Sequence, residues 1–64
     1  MYKIVMTDVD GAHWLRAFED WDNYYYLWTS DEDFAGEYNS RDCKMIIALM
    51  QLNPLIISCI KVKV

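Results

Sequence analysis

Three pairs of aspartates, each separated by one residue, are the groups in this sequence best suited to chemistry: Asp8/Asp10, Asp20/Asp22 and Asp31/Asp33. Paired carboxylates can bind a divalent cation, or act as nucleophile and acid in phosphoryl transfer. On a β-strand, side chains two residues apart point the same way and lie about 6.6 Å apart. If the first two pairs flank adjacent strands, this spacing imitates successive phosphates of a nucleic acid.

The first pair lies in a segment, Lys3–Gly11, that resembles the opening motif of the haloacid dehalogenase phosphatases, an apolar strand ending in Asp-x-Asp-Gly-Thr. The resemblance implies that Asp8 is a nucleophile, Asp10 an acid/base, and that Mg²⁺ lies between them and the phosphate. Ala12 replaces the family's threonine, and the family's later motifs need a parallel α/β domain of more than twice this length. We therefore expect a β-hairpin turn at Asp10-Gly11 instead.

The third pair partly resembles the calcium loop of an EF-hand, with Asp31, Asp33 and Gly36 in register and Asp42 at the twelfth position. Ala35 supplies no oxygen at the fifth position, and aspartate is shorter than the bidentate glutamate that the twelfth position normally carries. The pattern is also that of a capped helix start, which we favour.

The remaining reactive side chains form no catalytic or metal-binding pattern. His13, Cys43 and Cys59 lack the spacing of metal ligands, and a single histidine leaves the serines and cysteines without a base and its orienting partner. We expect no catalytic residues, no metal, no cofactor and no enzymatic activity.

Charge is distributed very unevenly along the chain. All ten carboxylates lie between Asp8 and Asp42, offset only by Arg16 and Arg41, which gives this stretch a formal charge of −8. Nine of the ten aromatic residues lie there too, whereas every charged residue after Cys43 is a lysine. The net charge of −4 and the pI of about 4.6 disfavour direct binding to nucleic acids or anionic membranes.

We therefore expect an acidic, aromatic surface that binds a basic partner. The alternative is that the acids are merely solvated and keep a hydrophobic chain soluble, although a surface serving only solubility mixes the two signs of charge. The side chains expected at the partner-binding surface are Asp8, Asp10, Asp20, Asp22, Asp31, Glu32, Asp33, Glu37, Trp21, Tyr24, Tyr26 and Trp28.

The small size, the acidic pairs and the lack of a catalytic set resemble, at the level of class, the small acidic inhibitors that bacteriophages make. Among these inhibitors, some anti-CRISPR proteins and DNA mimics occupy the nucleic-acid channels of host effectors. The resemblance implies that carboxylates replace phosphates and that Tyr or Trp rings replace stacked bases. It also implies a basic nucleic-acid-binding partner, such as a CRISPR effector.

These residues must be positioned by a small α+β domain spanning residues 1–64. Periodicity and turn signals predict the order β-β-β-α-β, with a three- to four-stranded antiparallel sheet packed on one main helix. The strands are expected at 2–9, 12–18, 24–29 and 55–64, and the main helix at 41–52. Ser30 is expected to cap a short helix over 31–36 that Gly36 ends, but the sequence leaves open whether 30–52 forms one helix or two.

Alternation predicts which residues of each strand share a face. In the first strand Ile4 and Met6 share one face, and in the second Leu15 shares a face with Ala17. In the last strand we expect four residues to point inward, opposite to Lys61 and Lys63: Ile56, Ile60, Val62 and Val64.

The main helix is apolar nearly all round and is capped by Asn39 or Ser40. One face carries Cys43, Ile46, Ile47 and Met50, and another carries Met45, Ala48, Leu49 and Leu52. This pattern supports an alternative function, in which the protein is a homodimer or a small subunit of a complex and uses helix 41–52 as its interface.

Two cysteines without close spacing, and an N-terminus that runs directly into a strand-like segment, favour a cytoplasmic protein with reduced thiols. If a phage encodes it, that compartment is the host cytoplasm. The uncharged run from Met45 to Ile60 is too short to span a bilayer.

Overall fold

The computed structural model describes residues 1–19 and 25–64, and for residues 18, 19 and 25 the backbone alone. The four strands form one antiparallel sheet in the order β3-β2-β1-β4, so the predicted α+β class and element order are confirmed. The elements are β1 (Tyr2–Asp8), β2 (Gly11–Glu19), β3 (Tyr25–Thr29), a 3₁₀ turn (Glu32–Phe34), α1 (Ser40–Met50) and β4 (Ser58–Lys63).

The core lies between α1 and one face of the sheet. Helix α1 packs over β1 and β4, and the Asn39 side chain caps it by accepting the Asp42 amide hydrogen at 2.8 Å. Of the two predicted apolar faces of α1, the one with Cys43 and Ile46 meets the sheet, since both residues are fully buried. The buried hydrophobic residues among those described are Ile4, Met6, Leu15, Cys43, Ile46 and Cys59.

The hairpin between β1 and β2 is present, but its turn is not the one predicted. The two turn residues are Val9 and Asp10, and Asp8 pairs with Gly11. Among the described residues only Gly11 has a positive φ, at 117°, so a turn centred on Asp10-Gly11 with positive φ at both residues is wrong. The glycine is needed directly after the turn, where a side chain would be strained.

The second strand contains an irregularity that sequence alternation did not predict. The pairing between β2 and β3 shifts between Leu15 and Ala17, so Leu15 lies opposite Trp28 while Ala17 lies opposite Leu27. Because Leu27 and Trp28 are neighbours on one strand, they face opposite sides. The expectation that Leu15 and Ala17 share a face is therefore wrong, and a bulge at Arg16 is the reason.

Ile56 packs against the core as predicted, but within β4 the inward face is the reverse of the prediction. Cys59 pairs with Met6 and is 5% exposed, whereas Ile60 pairs with Val5 on the other face and is 55% exposed. Lys61 lies on the helix side, 4.6 Å from the centre of the Tyr2 ring. Its long apolar stem can cover the edge of the core while its amine stays in water.

The face of the sheet that is turned away from α1, which we call the open face, is apolar as well. Ile60, Val5, Trp14 and Thr29 form one row across all four strands. Because both faces of the sheet carry apolar residues, hydrophobicity alone did not decide which face of β4 meets the helix.

The connection from β3 to α1 crosses the sheet. Lys3 lies on the face opposite to Ile4, and its Nζ donates to the Glu32 carbonyl at 3.0 Å. Further along, the chain enters the plane of the sheet, where Tyr2 and Tyr38 exchange two backbone hydrogen bonds of 2.8 and 2.7 Å. The chain thus passes from the open face of the sheet to the helix side.

Candidate protein-binding surface

Both Asp-x-Asp pairs in the described residues are local turns rather than strand pairs. The Asp8 carboxylate accepts the Asp10 amide hydrogen at 2.8 Å, and the Asp31 carboxylate accepts that of Asp33 at 2.9 Å. Aspartate commonly forms this hydrogen bond two residues ahead, which makes a turn of the side chain itself. The expectation of regular strand spacing, which was made for the first two pairs, is therefore wrong for Asp8/Asp10.

The first acid of the hairpin pair is engaged in the fold. The Asp8 carboxylate also has His13 as a neighbour, and His13 Nε2 lies 3.3 Å from Asp8 Oδ1. The two side chains form an ion pair when the histidine is protonated. The Asp8 side chain is only 24% exposed. Asp10 is exposed, so at this tip of the sheet Asp10 is the acid that faces solvent freely.

A second group of acids lies in the connection between β3 and α1. We call residues 31–37 the acidic segment, because it contains four acids and no basic residue. All four acids are exposed, and no salt bridge within the described part of the chain involves them. They are Asp31, Glu32, Asp33 and Glu37.

The acidic segment also carries an exposed aromatic ring. Phe34 is 62% exposed although it is the last residue of the 3₁₀ turn and lies among the acids. We did not include Phe34 among the expected binding residues. The sequence did contain a signal, since a single large apolar side chain in an acidic run has few apolar neighbours to pack against.

Hydrogen bonds fix the acidic segment at both ends. At its start, Asp31 rather than the predicted Ser30 caps the 3₁₀ turn, and the Asp31 amide donates to Thr29 Oγ1 at 3.1 Å. At its end, the Gly36 amide donates to the Leu15 carbonyl at 3.0 Å. The segment is therefore held in one conformation, which lowers the entropy lost on binding.

Gly36 was expected to end a helix, but the 3₁₀ turn already ends at Phe34. Instead, Gly36 permits a close approach of two backbones. A Cβ atom at this position would lie 2.5 Å from the Arg16 carbonyl oxygen and 2.7 Å from the Tyr38 hydroxyl oxygen. The bulge at Arg16 and the glycine at 36 are therefore parts of one contact.

The two acidic groups lie apart. Lys3, which binds the start of the acidic segment, and Asp8 are five residues apart along β1, a distance of about 16 Å. The structure thus gathers the acids of the segment but does not show the hairpin tip joined to them. Asp20, Asp22, Trp21 and Tyr24 fall outside the described residues.

The two remaining predicted aromatic residues lie on the helix side of β3. Tyr26 and Trp28 are partly buried and pack against the core, with ring centres 6.3 Å apart. Much of their area is therefore used within the fold, which leaves Phe34 as the more accessible ring.

Two further surfaces lie away from the acids. Met45, Leu49 and Leu52 follow one stripe of α1 and its C-terminal turn, and they are 41%, 40% and 79% exposed. Between α1 and β4 lies an open groove of about 340 Å³, which we call the lysine groove. It is lined by Ser40, Lys44, Ile47, Ala48, Gln51 and Lys61.

Burial affects the two thiols and one phenol. Burial raises the pKa of Cys43 and of Cys59 above 9.0, and both cysteines are free. Burial, followed by the nearby Cys43, raises the pKa of Tyr38 above 10.0. At neutral pH all three groups are therefore protonated, and neither thiol is a ready nucleophile.

Within residues 1–19 and 25–64, no three histidine, cysteine or acidic side chains are grouped so that they could hold a metal ion. None of the helices in these ranges has the length and hydropathy that a membrane span requires. Comparisons with protein-family models, curated proteins and solved structures find no match to this chain.

Proposed function

We propose that this protein is a non-enzymatic, cytoplasmic binding protein that docks its acidic segment onto a basic, nucleic-acid-binding surface of another protein. The observation that carries the proposal is the acidic segment itself. Its four acids are exposed and no salt bridge in the described chain involves them, and they flank Phe34, whose ring is exposed, along the chain.

Electrostatics give such a segment its preference for a basic partner. Exposed charges of one sign attract an oppositely charged groove over a distance of about 10 Å at moderate salt, and this steering speeds association. Phe34 supplies what charge alone does not, because aromatic side chains that enter a pocket contribute much of the affinity of an interface.

Occupation of a nucleic-acid-binding groove makes such a protein an inhibitor. Carboxylates then take the place of phosphates and Phe34 takes the place of a stacked base, as in the phage inhibitors and DNA mimics that the sequence resembles. A CRISPR effector is one partner of this kind. Asp20, Asp22, Trp21 and Tyr24 extend the proposed surface as sequence-based predictions.

The proposal is tested by capture on immobilised protein, followed by elution with single-stranded DNA. We expect the captured proteins to be basic nucleic-acid-binding proteins that the DNA displaces, because both ligands compete for one groove. The variant Glu32→Lys/Asp33→Lys should capture them poorly. The matched control is Asp10→Lys, which changes an exposed acid outside the segment and should capture them nearly as well as the wild type.

Capture that is equal for the wild type and for Glu32→Lys/Asp33→Lys would contradict the proposal. So would captured proteins that remain bound when DNA is added. Circular dichroism and thermal unfolding of each variant would establish that lost capture is not lost folding.

A second function is favoured by the exposed stripe on α1. The predicted apolar face around Met45 and Leu49 is left partly exposed by residues 1–19 and 25–64, which is typical of a subunit whose partner covers it. In that case Leu49→Asp dissociates the complex or homodimer, whereas Glu32→Lys/Asp33→Lys leaves it intact. Size-exclusion chromatography with light scattering distinguishes the two functions.

A further inference from the structure

The lysine groove has a chemical character opposite to that of the acidic segment. It is lined by the apolar side chains of Ile47 and Ala48, which we call its floor, and by the two lysines Lys44 and Lys61, which we call its rim. The Lys61 amine donates to Ser40 Oγ at 3.3 Å, which holds it at the end of the groove near the start of α1. The groove therefore suits a ligand that combines an apolar side chain with flanking carboxylates.

No acid of α1 or β4 offsets these amines. The nearest acid in sequence is Asp42, two residues before Lys44, and two residues correspond to about 200° around a helix. Asp42 therefore lies on another side of α1. The sequence contains no acid after Cys43.

The acidic segment has the combination that the groove suits. Phe34 is a largely exposed apolar ring, and Glu32, Asp33 and Glu37 are exposed acids on either side of it in the chain. We propose that the lysine groove is the docking site for the acidic segment of a second copy of this protein, with Phe34 over the apolar floor and the acids at the lysine rim.

Topology makes this contact one between copies. The acidic segment begins on the open face of the sheet, where the Lys3 amine binds the Glu32 carbonyl, whereas the groove lies between α1 and β4 on the helix side. Hydrogen bonds from Gly36 and Tyr38 fix the end of the segment in the sheet. A copy therefore cannot place its segment in its own groove.

Because the two surfaces differ, the contact is heterologous. Each copy offers one segment and one groove on opposite sides, so copies join head to tail rather than in a closed dimer. A small, polar contact of this kind is weak and is screened by salt. Self-association also occupies the segment that the proposed function assigns to a foreign partner, so the two kinds of binding compete.

The test is the weight-average mass in analytical ultracentrifugation from about 10 µM to about 1 mM protein, which spans weak affinities. We expect the mass to rise with concentration at about 50 mM salt and to rise much less at about 500 mM. Lys44→Glu and Phe34→Ala should each lower the affinity at least about tenfold. The control Asp10→Lys, which changes an exposed acid outside the segment, should associate as the wild type does.

Mixing sharpens the test. Lys44→Glu retains a working segment and Phe34→Ala retains a working groove, so the mixture should form a one-to-one complex and nothing larger. Wild-type protein that stays monomeric, or Lys44→Glu that associates as the wild type does, would overturn the inference. Association that Leu49→Asp abolishes and salt does not weaken would overturn it too, in favour of the stripe on α1.

The capture experiment separates failure here from failure of the proposed function. Lys44→Glu lacks the groove but retains the acidic segment, so it should still capture a basic partner whether or not copies of the protein associate. If Lys44→Glu loses self-association but captures the partner normally, the result concerns the lysine groove and leaves the proposed function untouched.

Discussion

The hairpin tip and the acidic segment begin with the same local structure, an aspartate whose carboxylate accepts the amide hydrogen two residues ahead. Their surroundings differ. At the tip, Asp8 is partly buried beside His13, within a sheet. In the segment the corresponding Asp31 is exposed, and an exposed ring follows it. Identical spacing thus gives a partly buried carboxylate in one place and an exposed carboxylate in the other.

The largest expected difference concerns the glycine that each region requires. Gly36→Ala places a Cβ atom 2.5 Å from the Arg16 carbonyl oxygen, so the backbone must move, and we expect a loss of about 3 kcal/mol in the free energy of unfolding. Gly11→Ala meets no atom within 4 Å and only strains a positive φ, for which we expect about 2 kcal/mol. Urea unfolding of both variants measures the difference, and equal losses would contradict the close contact at Gly36.

The next prediction compares the two turn-forming acids. Asp8→Ala removes the acceptor for the Asp10 amide and the neighbour of His13, with an expected cost of about 2 kcal/mol. Asp31→Ala removes only the cap of a short, exposed turn and should cost about 1 kcal/mol. Asp8→Asn and Asp31→Asn retain an acceptor oxygen and serve as controls that should cost less. A larger loss at Asp31 than at Asp8 in urea unfolding would reverse the assignment.

Alkaline pH should loosen the acidic segment before the hairpin tip. Tyr38 directly follows the acidic segment, and its carbonyl accepts a weak hydrogen bond from Cys43 Sγ at 3.9 Å. The pKa values of Cys43 and Tyr38 are raised in the folded protein. These groups stabilise the fold fully below their unfolded pKa values, 9.0 and 10.0, and this stabilisation is lost as pH rises through the folded values.

We therefore expect the free energy of unfolding to decline above about pH 9, where the thiols of the unfolded chain lose their protons. Amide exchange, corrected for its intrinsic pH dependence, should show earlier loss of protection at Tyr38 than at His13. A stability that stays constant to pH 11, or rises, would contradict the raised pKa values.

The smallest effects are expected at the second acid of each pair. Asp10→Asn and Asp33→Asn alter exposed side chains, and their backbone amides still donate to Asp8 and Asp31. Each should change the free energy of unfolding by less than about 0.5 kcal/mol. A cost above about 1 kcal/mol at either position would show a structural role that the exposed side chains do not indicate.

The sequence predicted those parts of the fold that depend on short-range pattern. Alternation placed Ile4 and Met6 on one face of β1, and helical spacing placed Cys43 and Ile46 on one face of α1. All four residues are buried. Asn39 was one of two predicted caps. These features depend on neighbours within one element, which a single sequence displays.

What the sequence did not predict depends on contacts between distant segments. The bulge at Arg16 accompanies the close approach of Gly36, twenty residues later, and neither position signals the other. Ile60 lies outward because the pairing of β4 with β1 places Cys59 inward, although isoleucine is the more hydrophobic of the two. Phe34 was overlooked because exposure is a property of the whole fold.

The difference between the two acidic regions is tested most directly by the salt dependence of partner binding. The slope of log Kd against log salt concentration should be shallower for Glu32→Lys/Asp33→Lys than for the wild type, because fewer charged contacts remain to be screened. Asp10→Lys should keep nearly the wild-type slope. Equal slopes for the wild type and Glu32→Lys/Asp33→Lys, with a reduced slope for Asp10→Lys, would place the binding charge at the hairpin tip and contradict this account.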